Sequence, residues 1–168
     1  MTIDALNSLT RTEFVAALGW VFERSPWVAD RAWKRRPFAT MEALHTAMRD
    51  EVDRATPEEQ LALLRAHPDL GTRVRLTAAS QKEQVGAGFD QLSHDELEHL
   101  QHLNSRYREK FGFPFIYAVK GSPQSDILFA LTLRSDSTRE EEFHEALYQV
   151  YRIAYFRVGQ VLDLPPRS

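Results

Sequence analysis

The chain has 168 residues, no cysteine and a formal net charge of −3, with 43% hydrophobic and 27% charged residues. That length fits a single domain over 1–168 with a genuine core, while the composition excludes disulfides, thiolate nucleophiles and cysteine zinc sites and lacks the broad basic field that nucleic-acid binding needs. The opening residues lack a secretory pattern, no stretch approaches the roughly 18 apolar residues of a membrane span, and the closing "PPRS" is no peroxisomal address, so a cytoplasmic protein without a membrane or nucleic-acid partner is expected.

Helical signals dominate the chain. Thr10 is placed to cap a segment carrying Phe14, Val15 and Leu18, followed by an apolar cluster from Trp20 to Phe22. "SPW" at 25–27 predicts a stop and then a proline-led helix. Thr40 precedes Met41, Leu44, Met48 and Val52, spaced by three and four along one face. Thr56, Pro57, Glu58 and Glu59 read as a helix start with an N-cap threonine, a proline at the first helical position and a glutamate completing a capping box. Leu61 and Leu64 supply the apolar stripe of that helix. Pro68 then pushes His67 out of helical geometry, and Gly71 offers a further break.

Ser80 with Glu83, and Ser93 with Glu96, both have capping-box spacing. The second opens a helix with Leu97, Leu100, Asn104, Tyr107 and Phe111 in register. "GFPFIYAV" at 112–119 is the exception, because Pro114 forbids a helix interior and the residues after it favour an extended backbone. "ILFALTL" at 127–133 suits helix or strand by propensity, but one extended segment cannot build a sheet, so it is taken as helical. Ser137 with Glu140 is expected to start the last and longest helix. These elements predict an all-α, single-domain bundle of about eight helices with one proline-broken extended segment near 112–119.

Four features are candidates for chemistry beyond scaffold, each with a structural reading beside it. His67 is a proton-transfer side chain on a stiff corner, although a histidine at a helix end also serves the last carbonyls and the helix dipole. Glu83 lies near a helix start, where a capping box alone accounts for it. The backbone of 112–119 has N–H and carbonyl groups without intrahelical partners, which a ligand rich in imide-like groups or ordinary neighbours can satisfy. Arg157 follows Ile153 and precedes Val161 by four residues on an apolar face; a structural ion pair explains it, as does a guanidinium fork for a carboxylate or ureide. His94, His99 and His102 read as a solvated helix face, so no metal site is expected.

Taken in order, "LGWVFERSPW" at 18–27, "RAHPDLG" at 65–71, "SQKEQVGAGFD" at 80–90, "LNSRYREKFGFPFI" at 103–116 and "RIAYFR" at 152–157 resemble the 2-oxo-4-hydroxy-4-carboxy-5-ureidoimidazoline (OHCU) decarboxylase family. The resemblance covers nearly the whole chain, departing at Phe89 and Val158, where leucine is usual. It implies an all-helical homodimeric enzyme of urate breakdown that needs no cofactor and yields S-allantoin and carbon dioxide. On the matching positions it implies His67 as the catalytic proton donor, Glu83 as its acidic companion and Arg157 as the substrate anchor. Pro68, Ser80, Gln81, Lys82, Glu83 and Gln84 would line the substrate, and the backbone of Phe115, Ile116, Tyr117, Ala118 and Val119 would bind its polar groups. A binding protein with the same pocket, a structural helical module and a lyase or hydrolase acting on another ureide are the rival readings.

Overall fold

The computed structural model describes residues 1–68, 93–118 and 124–163. Among them are eight α-helices, one 3-10 turn and no strand, so the fold is all-α as the periodicities predict. The helices are α1 (Ile3–Asn7), α2 (Arg11–Leu18), α3 (Trp27–Ala32), α4 (Met41–Asp53), α5 (Pro57–Ala66), α6 (His94–Phe111), α7 (Gln124–Arg134) and α8 (Arg139–Val161). They fall into two compact units, 1–66 with 151–168, and 67–150, and α8 contributes to both in sequence.

In the first unit the helix starts follow local chemistry. Thr10 accepts from the Glu13 N–H while the Glu13 carboxylate accepts from the Thr10 N–H, which satisfies two of the amides a helix start leaves unpaired. Gly19 closes α2, and a Cβ there would lie 2.6 Å from the Val15 carbonyl oxygen, so the turn tolerates no side chain. Thr40 caps α4 through the Ala43 N–H, and Leu44, Met48 and Val52 form its buried stripe as spaced. α3 packs on both α2 and α4. Asn7 ties α1 to the stretch before α4, donating to the Phe38 carbonyl at 2.9 Å and accepting from the Phe38 N–H at 2.8 Å, and Phe38 stacks on Phe14.

Two sequence expectations need correction in this unit. Trp20 is 47% exposed, whereas Val21 and Phe22 are buried, so the apolar cluster is split. In α5 the buried pair is Leu63 and Leu64, with Leu61 half-buried, because the helix turns its 63/64 edge inward.

In the second unit α6 begins with the expected Ser93–Glu96 capping box and buries Leu100, Asn104, Tyr107 and Phe111. It ends at Gly112, whose φ of 79° is the left-handed cap that glycine accepts without steric cost. Residues 114–118 are non-helical after Pro114, and 124–134 is helical, both as expected. The rings of Tyr107, Phe111, Phe113 and Phe115 form one contiguous aromatic cluster, with Tyr107 centred 4.6 Å from Phe111 and 5.2 Å from Phe115. α7 packs on α6.

The start of α8 differs from the sequence expectation. Thr138, not Ser137, is the capping residue: its hydroxyl accepts from the Glu141 N–H, and the Glu141 carboxylate accepts from the Thr138 N–H. The Ser137 N–H instead closes the preceding turn on the Arg134 carbonyl, which moves the helix start one residue along. No described helix is long and apolar enough to cross a membrane.

Candidate active site

His67 follows directly on α5. Reciprocal bonds between Thr56 and Glu59 open that helix, at 3.2 Å for the Thr56 N–H and 3.1 Å for the Glu59 N–H, and it stops at Ala66, one residue before the histidine. The proline corner therefore forms where the sequence places it. His67 is only 7% exposed, and Pro68 is exposed beside it.

Ser80, Gln81, Lys82, Glu83, Gln84 and Val119 lie outside the described residues. The broken segment is described through Ala118: Phe115, Ile116 and Ala118 are buried and Tyr117 is half-buried. The Phe115 and Tyr117 rings stack at 6.1 Å with only 10° between their planes, as expected for residues i and i+2 on one face of an extended chain.

Backbone polar groups inside this segment have found side-chain partners that sequence reading did not single out. Arg134, at the end of α7, donates from Nη1 to the Ile116 carbonyl at 2.8 Å. Gln149, in α8, accepts from the Ala118 N–H at 2.9 Å. Arg134 is itself neutralised by Glu142, to which its Nε donates at 2.6 Å, and the Tyr107 hydroxyl donates to the same carboxylate. Burial pushes the Glu142 carboxyl up from its ordinary value, while Arg134 and the Tyr107 hydroxyl pull it back. Tyr107 is also pushed up, by burial first and by Glu142 second, so it stays a protonated donor.

A signal for this network existed. Glu142 shares the buried stripe of Ala146 and Val150 at spacings of four, although "REEEF" reads as an exposed, dipole-complementing first turn.

Arg157 lies in the first unit, half-exposed beside the buried row of Ala154, Val158 and Leu162 instead of within it, which corrects its placement on the apolar seam. Its Nη2 donates to Glu23 at 2.6 Å and its Nη1 to the carbonyls of Trp20 and Val21. The Trp20 ring stands 5.7 Å from the guanidinium. Hence the stretch "LGWVFERSPW" supplies all of these contacts to the arginine of "RIAYFR", a link between the two quoted stretches that no linear spacing reveals. His94, His99 and His102 are exposed as expected, His94 pairing with Glu98 one turn on.

The family model for OHCU decarboxylase matches residues 7–159. The chain belongs to the OHCU decarboxylase family. It is 45% identical over 161 residues to the 2-oxo-4-hydroxy-4-carboxy-5-ureidoimidazoline decarboxylase of Halalkalicoccus jeotgali, covering 96% of this chain and 92% of that one. It is 41% identical to the uric acid degradation bifunctional protein of a Bacillus species, matching 96% of this chain and 32% of the longer relative. The crystal structure of (S)-allantoin synthase superposes with a TM-score of 0.81 at 34% identity, over 97% of this chain and 55% of that one. As an OHCU decarboxylase family member the chain is a carboxy-lyase, and the family and enzyme class expected from its ordered motifs hold. Within this OHCU decarboxylase fold, His67 and the 115–118 segment belong to one unit and Arg157 to the other.

Proposed function

We propose that this chain decarboxylates 2-oxo-4-hydroxy-4-carboxy-5-ureidoimidazoline to S-allantoin and carbon dioxide in urate degradation, with His67 delivering the proton that fixes the product's stereochemistry. The observation that carries the reading is a buried histidine on the proline corner after α5, in a chain whose family model spans nearly its full length.

The chemistry asks for little beyond positioning. When the C–C bond to the carboxylate breaks, its electron pair passes into the substrate's own C=N group and carbon dioxide leaves. The nitrogen takes up a proton and an enol remains; one proton added to one face of the ureido-bearing carbon, with the enol hydroxyl giving up its own proton to become a carbonyl, completes allantoin. The electron sink is part of the substrate, so the step is written without a coenzyme. What the protein supplies is alignment of the breaking bond with the acceptor and one proton donor on one side. An imidazole has one nitrogen that can give a proton and another that can take one, which suits His67 to the second task.

In the same reading Glu83 orients the imidazole or favours its charged form. Pro68, Ser80, Gln81, Lys82 and Gln84 line the substrate, and backbone groups of 115–119 meet its ring and ureido groups. Arg157 anchors an anionic or ureide group through its planar fork, sharing the guanidinium with Glu23. A homodimer acting as one domain per chain in the cytoplasm completes the proposal, supported by the family resemblance.

The test is circular dichroism of allantoin formed while the substrate is generated from urate by an oxidase and a hydrolase. Rapid appearance of an S-enriched signal with this protein, lost in His67→Ala at retained helical content, is expected. Only the slow racemic background with the wild-type chain would overturn the enzymatic reading in favour of a ureide-binding protein.

A further inference from the structure

We propose that Arg134 and Gln149 are positioning residues for the substrate-binding backbone, two buried side chains that set the register of the broken segment by holding its Ile116 carbonyl and Ala118 N–H. The inference rests on the functional reading above, in which that segment meets the substrate.

The argument begins with what a non-helical stretch requires. A buried backbone group without a partner loses the free energy of a hydrogen bond, so each must be assigned a partner before the segment can be stable. At Ile116 and Ala118 the partners are side chains from α7 and α8, both nearly buried: Arg134 is 8% exposed and Gln149 5%. The two occupied groups lie two residues apart. In an extended chain backbone polar groups alternate with period two, so those held at 116 and 118 share a side and those of Tyr117 point to the other. The parallel stacking of the Phe115 and Tyr117 rings independently fits that alternation.

The brace is itself fixed. The Arg134 fork is divided between the Ile116 carbonyl and Glu142, whose carboxylate also accepts from Tyr107, and the guanidinium lies 4.5 Å from the Phe115 ring centre. Gln149 is oriented by its own amide, which donates to Glu145 at 2.9 Å and so points the amide oxygen at Ala118. A slip of one residue would exchange the groups facing the brace for those facing away, and every polar contact to a ligand would change with it. Arg134 and Gln149 thus act on the reaction through the segment, not on the reacting atoms.

The test compares Gln149→Leu, which removes the acceptor at similar volume, with the Gln149→Glu/Glu145→Gln exchange, which keeps the acceptor oxygen and reverses the orienting hydrogen bond, and with Arg134→Lys, which keeps the charge but not the fork. Steady-state kinetics on enzymatically generated ureidoimidazoline are measured beside thermal unfolding of each protein. The expected result is a roughly tenfold rise in KM for Gln149→Leu and Arg134→Lys with a smaller change in kcat, and a KM near the wild-type value in the Gln149→Glu/Glu145→Gln exchange. A merely structural role lowers the folded fraction, and with it the apparent kcat, without raising KM. Wild-type KM in folded Gln149→Leu, or a loss of kcat alone, would overturn the brace. Should Arg134→Lys not fold, the Gln149 pair decides. A wild-type chain that leaves the background rate unchanged overturns the decarboxylase reading and the brace's role together; failure of the brace alone leaves the wild type active.

Discussion

Arg157 and Glu23 form an ion pair at 2.6 Å between residues 134 positions apart, with the guanidinium also held by two consecutive carbonyls, those of Trp20 and Val21. Three N–H vectors are thereby aimed at the protein, which sets the plane of the fork; on the proposed reading, in which Arg157 anchors the substrate, that plane is set before the ligand arrives. Such prior ordering reduces what a bound anion must organise. A lysine at 157 offers a point charge that cannot span these acceptors and a ligand in one plane. Arg157→Lys should therefore lower kcat/KM by at least roughly tenfold, and Glu23→Gln by a smaller factor, because the neutral amide still accepts a hydrogen bond. A double-mutant cycle in initial-rate assays checks the coupling; simple additivity would mean that Glu23 does not act through Arg157.

Glu142 is 1% exposed and shared by Arg134 and Tyr107. Removing one partner of a buried pair leaves the other charge without compensation, a loss of about 3–5 kcal/mol. Glu142→Leu should fall in that range by urea unfolding at neutral pH. A loss below about 1 kcal/mol would show that Arg134 finds another counter-charge.

His45 offers a stability signature of its own. Its Nε2 lies 2.8 Å from the Tyr151 carbonyl, its ring meets Tyr155 edge-on, and burial holds its pKa below the ordinary histidine value. The folded state thus binds this proton more weakly than the unfolded chain. Below the unfolded value of ~6.5 the unfolded chain takes up a proton that the folded chain refuses, so His45's contribution is present above that pH and is lost as pH falls toward the depressed folded value. Urea midpoints at pH 7.5 and 5.5 should differ in that direction, and His45→Gln should narrow the difference. An unchanged pH response in the variant would remove His45 as its source.

The register of α8 gives a sharper local test. Thr138 forms the reciprocal bonds with Glu141 while the Ser137 N–H closes a turn on Arg134. Thr138→Ala should therefore destabilise by about 0.5–2 kcal/mol, whereas Ser137→Ala should stay within about 0.5 kcal/mol of the wild type. Thermal unfolding of the two variants distinguishes the registers directly, since the reverse order would restore Ser137 as the cap.

Local pattern and elementary sterics determined much of this protein. The caps at Thr10, Thr40, Thr56 and Ser93, the corner that ends α5 before His67 and the break at Pro114 all rest on interactions spanning a few residues, which a linear sequence displays, whereas the helical state of 127–133 followed from the lack of a second strand to pair with. The ordered motifs were equally legible, and they pointed to the family that the full-length comparison establishes. Tertiary structure alone decided which of several equivalent local choices was taken. Ser137 and Thr138 both stand three residues before a glutamate, and only the closing turn of α7 selects between them. Three consecutive glutamates open α8, and only packing against Arg134 and Tyr107 turns Glu142 inward. Arg157 shows the same division: its charge and its place in the last helix are written in the chain, but the face it occupies and its partner Glu23, at a sequence distance over which no periodicity acts, are not. Caps and turns are set by bonds closed within one turn of backbone, whereas the partner of a buried charge is set by which surfaces the folded chain brings together.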